Sequence, residues 1–194
     1  MEQGNVRVDV FSVLTRLARA IDAVDRAELQ PLDLTPAQGE TLRFIAETRP
    51  DMATVTWLAR TLGVRHATAI GILEPLVERG LVERRPHPFD GRQTVLALTE
   101  AGRELADQVA ASRSELEQLL ARCAPAERAA IETGLRALVR AMVESGRLVV
   151  SAPCAGCRHF QPNAYGPGRH RCTLIHRELS DEESKLKCPE HVGA

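Results

Sequence analysis

Four of the five cysteines fall in the last 44 residues, as Cys154-Ala155-Gly156-Cys157, then Cys172, then Cys188-Pro189, in the spacing C-x2-C-x14-C-x15-C. Few apolar residues accompany them: Phe160, Tyr165, Leu174, Ile175, Leu179, Leu186 and Val192 are the main ones. A stretch this short buries too little apolar surface to offset its conformational entropy, and segments below about 40 residues usually need disulfides, a metal or association to fold. Something other than hydrophobic burial therefore has to order residues 151–194. A metal ion or metal cluster on the four thiolates is the simplest agent. Four of the six histidines, His159, His170, His176 and His191, lie in the same stretch.

The other 150 residues have a different character. Apolar residues make up 44 % of the whole chain and charged ones 26 %, as in ordinary globular proteins, while aromatics are only 3 %. A core of Ala, Leu and Val suits packed helices better than a sandwich of sheets. Residues 6–29 place Val10, Leu14, Leu17, Ile21 and Val24 at helical spacing. Thr35 before Pro36 reads as a helix start that runs through Leu42, Phe44 and Ile45 to about Glu47, with Pro50 and Asp51 breaking it. A short helix follows on Val55, Leu58, Ala59 and Leu62. Gly63-Val64 then turns the chain into a helix over 66–79, ending at Gly80. Helix, glycine turn and helix at this spacing form a helix-turn-helix.

The period then changes. Residues 81–85 and 94–98 are β-prone, and Pro86-His87-Pro88-Phe89-Asp90-Gly91-Arg92-Gln93 joins them through an Asp-Gly turn signal, which makes a wing. Thr99-Glu100-Ala101-Gly102 opens a helix using Leu105, Val109, Leu116, Leu119 and Leu120. Pro125 opens another on Ile131, Leu135, Leu138, Val139 and Met142. These long terminal helices exceed what a winged helix needs, so their apolar stripes point to a dimer interface. Cys123, between the last two, is expected to be a small buried residue. The fold class is mainly α: a winged helix-turn-helix with long dimerisation helices over residues 1–150, then a small, loop-rich metal-binding segment over 151–194.

The ordered set Leu34-Thr35-Pro36-Ala37-Gln38, Leu58-Ala59 to Gly63-Val64, Leu76-Val77-Glu78-Arg79-Gly80-Leu81-Val82-Glu83-Arg84, Asp90-Gly91-Arg92 and Leu98-Thr99-Glu100-Ala101-Gly102 resembles the MarR family of transcription regulators across residues 5–148. The resemblance implies a homodimer that binds a palindromic operator in double-stranded DNA and usually represses, with room for a small-molecule effector. Physical reasoning gives the same roles. The first residues of a recognition helix reach base edges in the major groove, here Arg65, His66 and Thr68. In the wing, Arg92 resembles the family's minor-groove arginine and Asp90 the acidic residue that orients it. Arg84 and Arg85 are phosphate candidates. Net charge is −1, so DNA binding must rest on a local patch. Pro75, inside the predicted recognition helix, is expected to kink it or to tighten the turn before it.

Three schemes fit the thiols. Cys154, Cys157, Cys172 and Cys188 as ligands of a 4Fe-4S cluster fit four thiolates with a proline after the last, and the segment resembles high-potential iron–sulfur domains and the small cluster-bearing subunits of some glycyl-radical enzymes. Zn on the same residues is the second scheme, with His170 or His176 able to replace one cysteine. Structural zinc sites usually use two C-x2-C pairs, and only one is present. A thiol–disulfide switch at Cys154 and Cys157 is the third, and it leaves Cys172 and Cys188 without a role. The site is expected to report redox, oxygen or iron status to the DNA-binding helices or to be structural. A different reading keeps the winged helix as a scaffold for electron transfer or protein interaction. No phosphate-binding loop, His-Glu-x-x-His motif or nucleophile elbow is present, so no enzyme is expected. No leader and no membrane-spanning run is expected either, which implies a cytoplasmic protein.

Overall fold

The computed structural model describes residues 9–111 and 114–193. The expected helical residues 6–8 and the side chain of Leu116 lie outside the described residues. Helix α1 spans Val10–Leu29, its first N–H groups bonded to the carboxylate of Asp9 at 3.1–3.2 Å. Helix α2, Pro36–Glu47, starts as the sequence requires: Thr35 accepts from the Gln38 N–H, and the Gln38 side chain accepts from the Thr35 N–H. Helix α3, Val55–Leu62, is capped by Thr54 and stopped by Gly63 at φ 66°.

Helix α4 spans His66–Glu78 as one element, so Pro75 does not divide it. The carbonyl deprived of its donor belongs to Gly71, which is exposed and has no heavy atom near its missing Cβ, so water can take the donor's place. Strands β1 (Val82–Pro86) and β2 (Thr94–Leu98) pair antiparallel, Val82 opposite Leu98. Helix α5, Glu100–Ala111, follows at once. Thr99 ties the corner by donating to the Gly80 carbonyl at 2.7 Å and accepting from the Gly102 N–H at 3.0 Å. Gly102 has to be glycine, because a Cβ there would lie 1.9 Å from the Leu81 carbonyl oxygen. Leu42, Leu58, Leu73 and Leu76 are fully buried where α2, α3 and α4 meet. Burial of each such side chain contributes about 1.5–3 kcal/mol.

Helices α6 (Ser114–Ala121) and α7 (Pro125–Glu144) complete the helical part. None of the residues of α7 is buried, and Ile131, Leu135, Leu138, Val139, Met142 and Val143 are all exposed. On α1 only Leu29 is buried, with Val10, Phe11, Leu17 and Ile21 uncovered. Cys123 is half-buried in the turn between α6 and α7, more open than expected. No helix among the described residues is long and apolar enough to cross a membrane.

The cysteine-rich segment is loop-rich but contains an unpredicted sheet. Strands β3 (Phe160–Gln161), β4 (Arg169–Cys172) and β5 (Arg177–Ser180) form an antiparallel meander, followed by the five-residue helix α8 (Asp181–Lys185) capped by Ser180. Its apolar core is as small as the composition implies: Cys154, Cys172 and Leu179, flanked by Phe160 and Ile175. The segment is fastened to the end of α2. Lys187 donates its N–H to the Glu47 carbonyl at 2.8 Å and accepts from the Arg49 N–H at 2.9 Å, and the Lys187 and Glu47 side chains pair.

Candidate DNA-binding face and thiol centre

The first turn of α4 presents Arg65, His66, Ala67 and Thr68 to solvent, with Ala69 buried directly behind them. Arg65 occupies the position before the helix in an extended conformation, and no ion pair among the described residues engages it. These four side chains are therefore open to a partner from solvent.

The wing is organised by His87. Its Nδ1 accepts from the N–H groups of Phe89 and Asp90, both at 3.1 Å, and its Nε2 lies 3.0 Å from the Asp51 carbonyl. The neutral tautomer with hydrogen on Nε2 satisfies all three bonds. Asp90 does not pair with the Arg92 guanidinium as expected. One carboxylate oxygen accepts from the Arg92 N–H at 3.0 Å and the other from the Gln93 amide at 2.8 Å. The Arg92 N–H, then the Gln93 amide, hold its carboxyl below the usual value. Asp90 shapes the turn and leaves the Arg92 side chain exposed. Arg84 is paired with Glu74 at 2.7 Å, and Arg85 with Glu83. Both carry neutralised charge on an exposed face, where such pairs are worth little and exchange readily.

The four cysteines of the C-terminal segment are all free thiols and line one cavity. Cys154 and Cys157 sit on a tight turn, the Cys157 N–H donating to the Cys154 carbonyl at 3.0 Å, with Gly156 at φ 79° between them. Cys172 ends β4, opposite Phe160 of β3. Cys188 follows α8 and exchanges two backbone hydrogen bonds with Ala152. The sheet, the short helix and the turn thus bring together residues 34 positions apart. The cavity is tight, with about 20 Å³ of room for a water-sized molecule. No group of three Cys, His, Asp or Glu side chains among the described residues is placed to hold a single metal ion.

Two of the four histidines border the thiols and two do not. His159 and His191 line the cavity. His170 does not: its Nδ1 accepts from the Asn163 N–H and its Nε2 faces Asp181 at 3.4 Å. His176 lies in a separate cleft at φ 51°. Neither is placed to replace a cysteine.

Sequence reasoning missed Arg49. Its side chain, 2 % exposed, donates from Nε to Asp51 at 2.6 Å and borders the thiol cavity, with Nη1 buried and without a hydrogen-bond partner. Burial raises the Cys154 thiol pKa and pushes that of Cys188 up to about 11, in both cases against the opposing charge of Arg49. The Arg49 charge offsets part of the burial effect, and both thiols still rest above the ordinary cysteine value. Arg177 of β5 was missed as well. It pairs with Glu183 at 2.7 Å, approaches Asp51 at 3.9 Å, and lies 4.5 Å from the centroid of the Phe89 ring in the wing. Between the wing, the start of α3, His66 and the cysteine segment runs an open cleft of about 770 Å³.

Residues 32–93 match the model of the MarR family. Among solved structures, apo MarR from E. coli is 25 % identical with a TM-score of 0.58, the match covering 68 % of this chain and 98 % of that one. RV1404 from Mycobacterium tuberculosis is 29 % identical with a TM-score of 0.55, covering 68 % and 90 %. The S. aureus MepR–DNA complex is 23 % identical with a TM-score of 0.61, covering 68 % and 97 %. Each match leaves about a third of this chain over. Residues 32–93 are thus similar to the MarR family, and the fold around them is that of MarR from E. coli and RV1404 from Mycobacterium tuberculosis.

Proposed function

We propose that this chain is a homodimeric repressor of a palindromic operator, and that Cys154, Cys157, Cys172 and Cys188 hold a 4Fe-4S cluster whose presence or redox state sets operator affinity. The observation that carries the reading is one cavity lined by four thiols and by Arg49 of the winged-helix body. Four thiolates with a proline after the last suit a 4Fe-4S cluster, whereas structural zinc sites usually use two C-x2-C pairs and this chain has one. The buried Arg49 guanidinium suits the net negative charge of a thiolate-bound cluster. When bound, such a cluster supplies a one-electron couple and a lability toward oxidants. The chain's own residues supply four thiolates, the compensating cation and a docking seam on α2.

Dimerisation is supported by the uncovered apolar faces of α1 and α7, which in a monomer would leave large stripes in water. Two copies would then present two recognition helices to two half-sites. Arg65, His66 and Thr68 would read the major groove, Arg92 would enter the minor groove, and Arg84 and Arg85 would hold phosphates once released from their carboxylates.

The test is anaerobic purification with iron, acid-labile sulfide and zinc measured per chain, followed by operator affinity before and after removal of the metal. Four irons and four sulfides with broad visible absorption support the cluster. One zinc per colourless chain overturns it in favour of the zinc reading. Operator affinity and dimerisation that are both indifferent to the metal would reduce the centre to a structural clamp.

A further inference from the structure

We propose that the cysteine segment holds the wing in place, through Arg49 on the side of the thiols and Arg177 on the side of the wing. The coupling to metal rests on the thiol-centre reading above; the clamp itself does not. Asp51 is where the two sides meet. Its carboxylate takes the Arg49 Nε–H at 2.6 Å and faces Arg177 at 3.9 Å, and its carbonyl takes the His87 ring at 3.0 Å. Arg49 and Asp51 are both buried, with side chains 2 % and 5 % exposed, so neither can lose its partner to water cheaply.

From there the contacts reach the wing by two routes. His87 organises the turn from inside by accepting the Phe89 and Asp90 N–H groups. Arg177 covers the Phe89 ring from outside at 4.5 Å. Phe89 is otherwise a solvent-facing aromatic at the tip of a two-stranded hairpin, 61 % exposed. Isolated two-stranded hairpins are marginal in water, so an external hold decides how well the tip is ordered. On the other side, Arg49 borders the cavity of the four cysteines, so filling or emptying that cavity disturbs the residue that holds Asp51, and through Asp51 and Arg177 the wing that carries Arg92.

The experiment is amide hydrogen exchange of wing residues 87–93 in the full-length protein, for wild type and Arg177→Ala, each as purified and after metal removal. Phe89→Ala serves as a second variant that leaves the cysteine segment untouched. Loss of a cation–aromatic contact of this kind should speed wing exchange by about threefold to tenfold, with α4 unaffected. Metal removal from wild type should speed it similarly, and the two changes together should do no more than either alone. Unchanged wing exchange in both Arg177→Ala and Phe89→Ala would overturn the clamp. Multiplying effects of metal removal and Arg177→Ala would overturn the coupling. If purified wild type holds neither iron nor zinc, the thiol-centre reading fails, and the Arg177→Ala comparison still decides the clamp.

Discussion

Replacing Arg92 with alanine isolates the wing's part in DNA binding. The side chain stands exposed at the tip, and no ion pair among the described residues engages it, because Asp90 uses both carboxylate oxygens on the Arg92 N–H and the Gln93 amide. Its charge is therefore available to a phosphate or the minor groove without first breaking an internal pair. A dimer presents two copies. Each neutralised phosphate contributes about −0.9 to the slope of log K against log salt, so Arg92→Ala should flatten the slope by about 1.8. Across a fourfold rise in salt, from about 50 to 200 mM, the affinity advantage of wild type should shrink by roughly 12-fold, which is 4 raised to 1.8. Arg84 is the internal control. It is held by Glu74 at 2.7 Å, so contact with a phosphate has to displace a carboxylate, and Arg84→Ala should flatten the slope by less. Fluorescence anisotropy with a labelled operator over a salt series reads both. An unchanged slope in folded, dimeric Arg92→Ala would refute the claim that the wing reaches DNA. Equal losses for the two variants would refute the argument that internal pairing withholds charge.

Other consequences follow from local geometry. Gly102→Ala drives a methyl to within 1.9 Å of the Leu81 carbonyl oxygen; urea unfolding should show a loss of about 2–3 kcal/mol, and an unchanged midpoint would mean the α5 corner is looser than the hydrogen bonds of Thr99 imply. Thr35→Ala removes one half of the capping box on α2 and should cost about 1 kcal/mol in the same assay. Asp90 has a folded-state pKa depressed below 3.8 by its hydrogen bonds from Arg92 and Gln93. Its contribution to wing order is therefore complete above the unfolded value and is lost as pH falls through the folded one; an NMR titration midpoint at or above 3.8 would contradict this. In metal-free, reduced protein the buried Cys188 thiol, pushed up to about 11, should alkylate near neutral pH far more slowly than half-buried Cys123, and equal rates would show that the cavity opens freely.

Most of the winged helix was legible because its signals are local. Thr35-Pro36 with Gln38, Gly63 after Leu62 and the Thr99-to-Gly102 corner each act through hydrogen bonds within a few residues, or through a φ that only their own residue type tolerates readily. The cysteine sheet was not legible. Arg169-His170-Arg171-Cys172 and Arg177-Glu178-Leu179-Ser180 alternate in burial, yet only His170, Cys172 and Leu179 point inward. Two of those three are polar or ambiguous by composition, so no apolar period marks the strands. Among the site residues, the exposed first turn of α4 and the shared cavity of the four cysteines could be anticipated from spacing. Arg49 and Asp51 could not. In sequence they flank Pro50 at a helix break, and their importance arises from partners at 154, 177 and 188, more than 100 residues away.

The way the cysteine segment is fastened argues against a swinging appendage. It is held to the end of α2 by two backbone hydrogen bonds through Lys187 and by the Lys187–Glu47 pair, and it meets the wing through Arg177. On its other side, Val150, Val192 and Gly193 border a groove with Leu135, Val139 and Val143 of α7, the helix whose apolar face is uncovered. The four thiols therefore sit between the element that would join two copies and the element that would enter DNA. An event at the thiols can bias either only by differing in free energy between two arrangements of that element. The seam on α2 is backbone-bonded and fixed in register, whereas the wing contact rests on one arginine over one ring. Of the two, the wing contact costs less to break, so a change at the thiols should loosen the wing before it separates the segment from α2. Hydrogen exchange after metal removal would place the argument at risk directly: faster exchange at the Arg49 and Lys187 amides than at the wing would reverse the order.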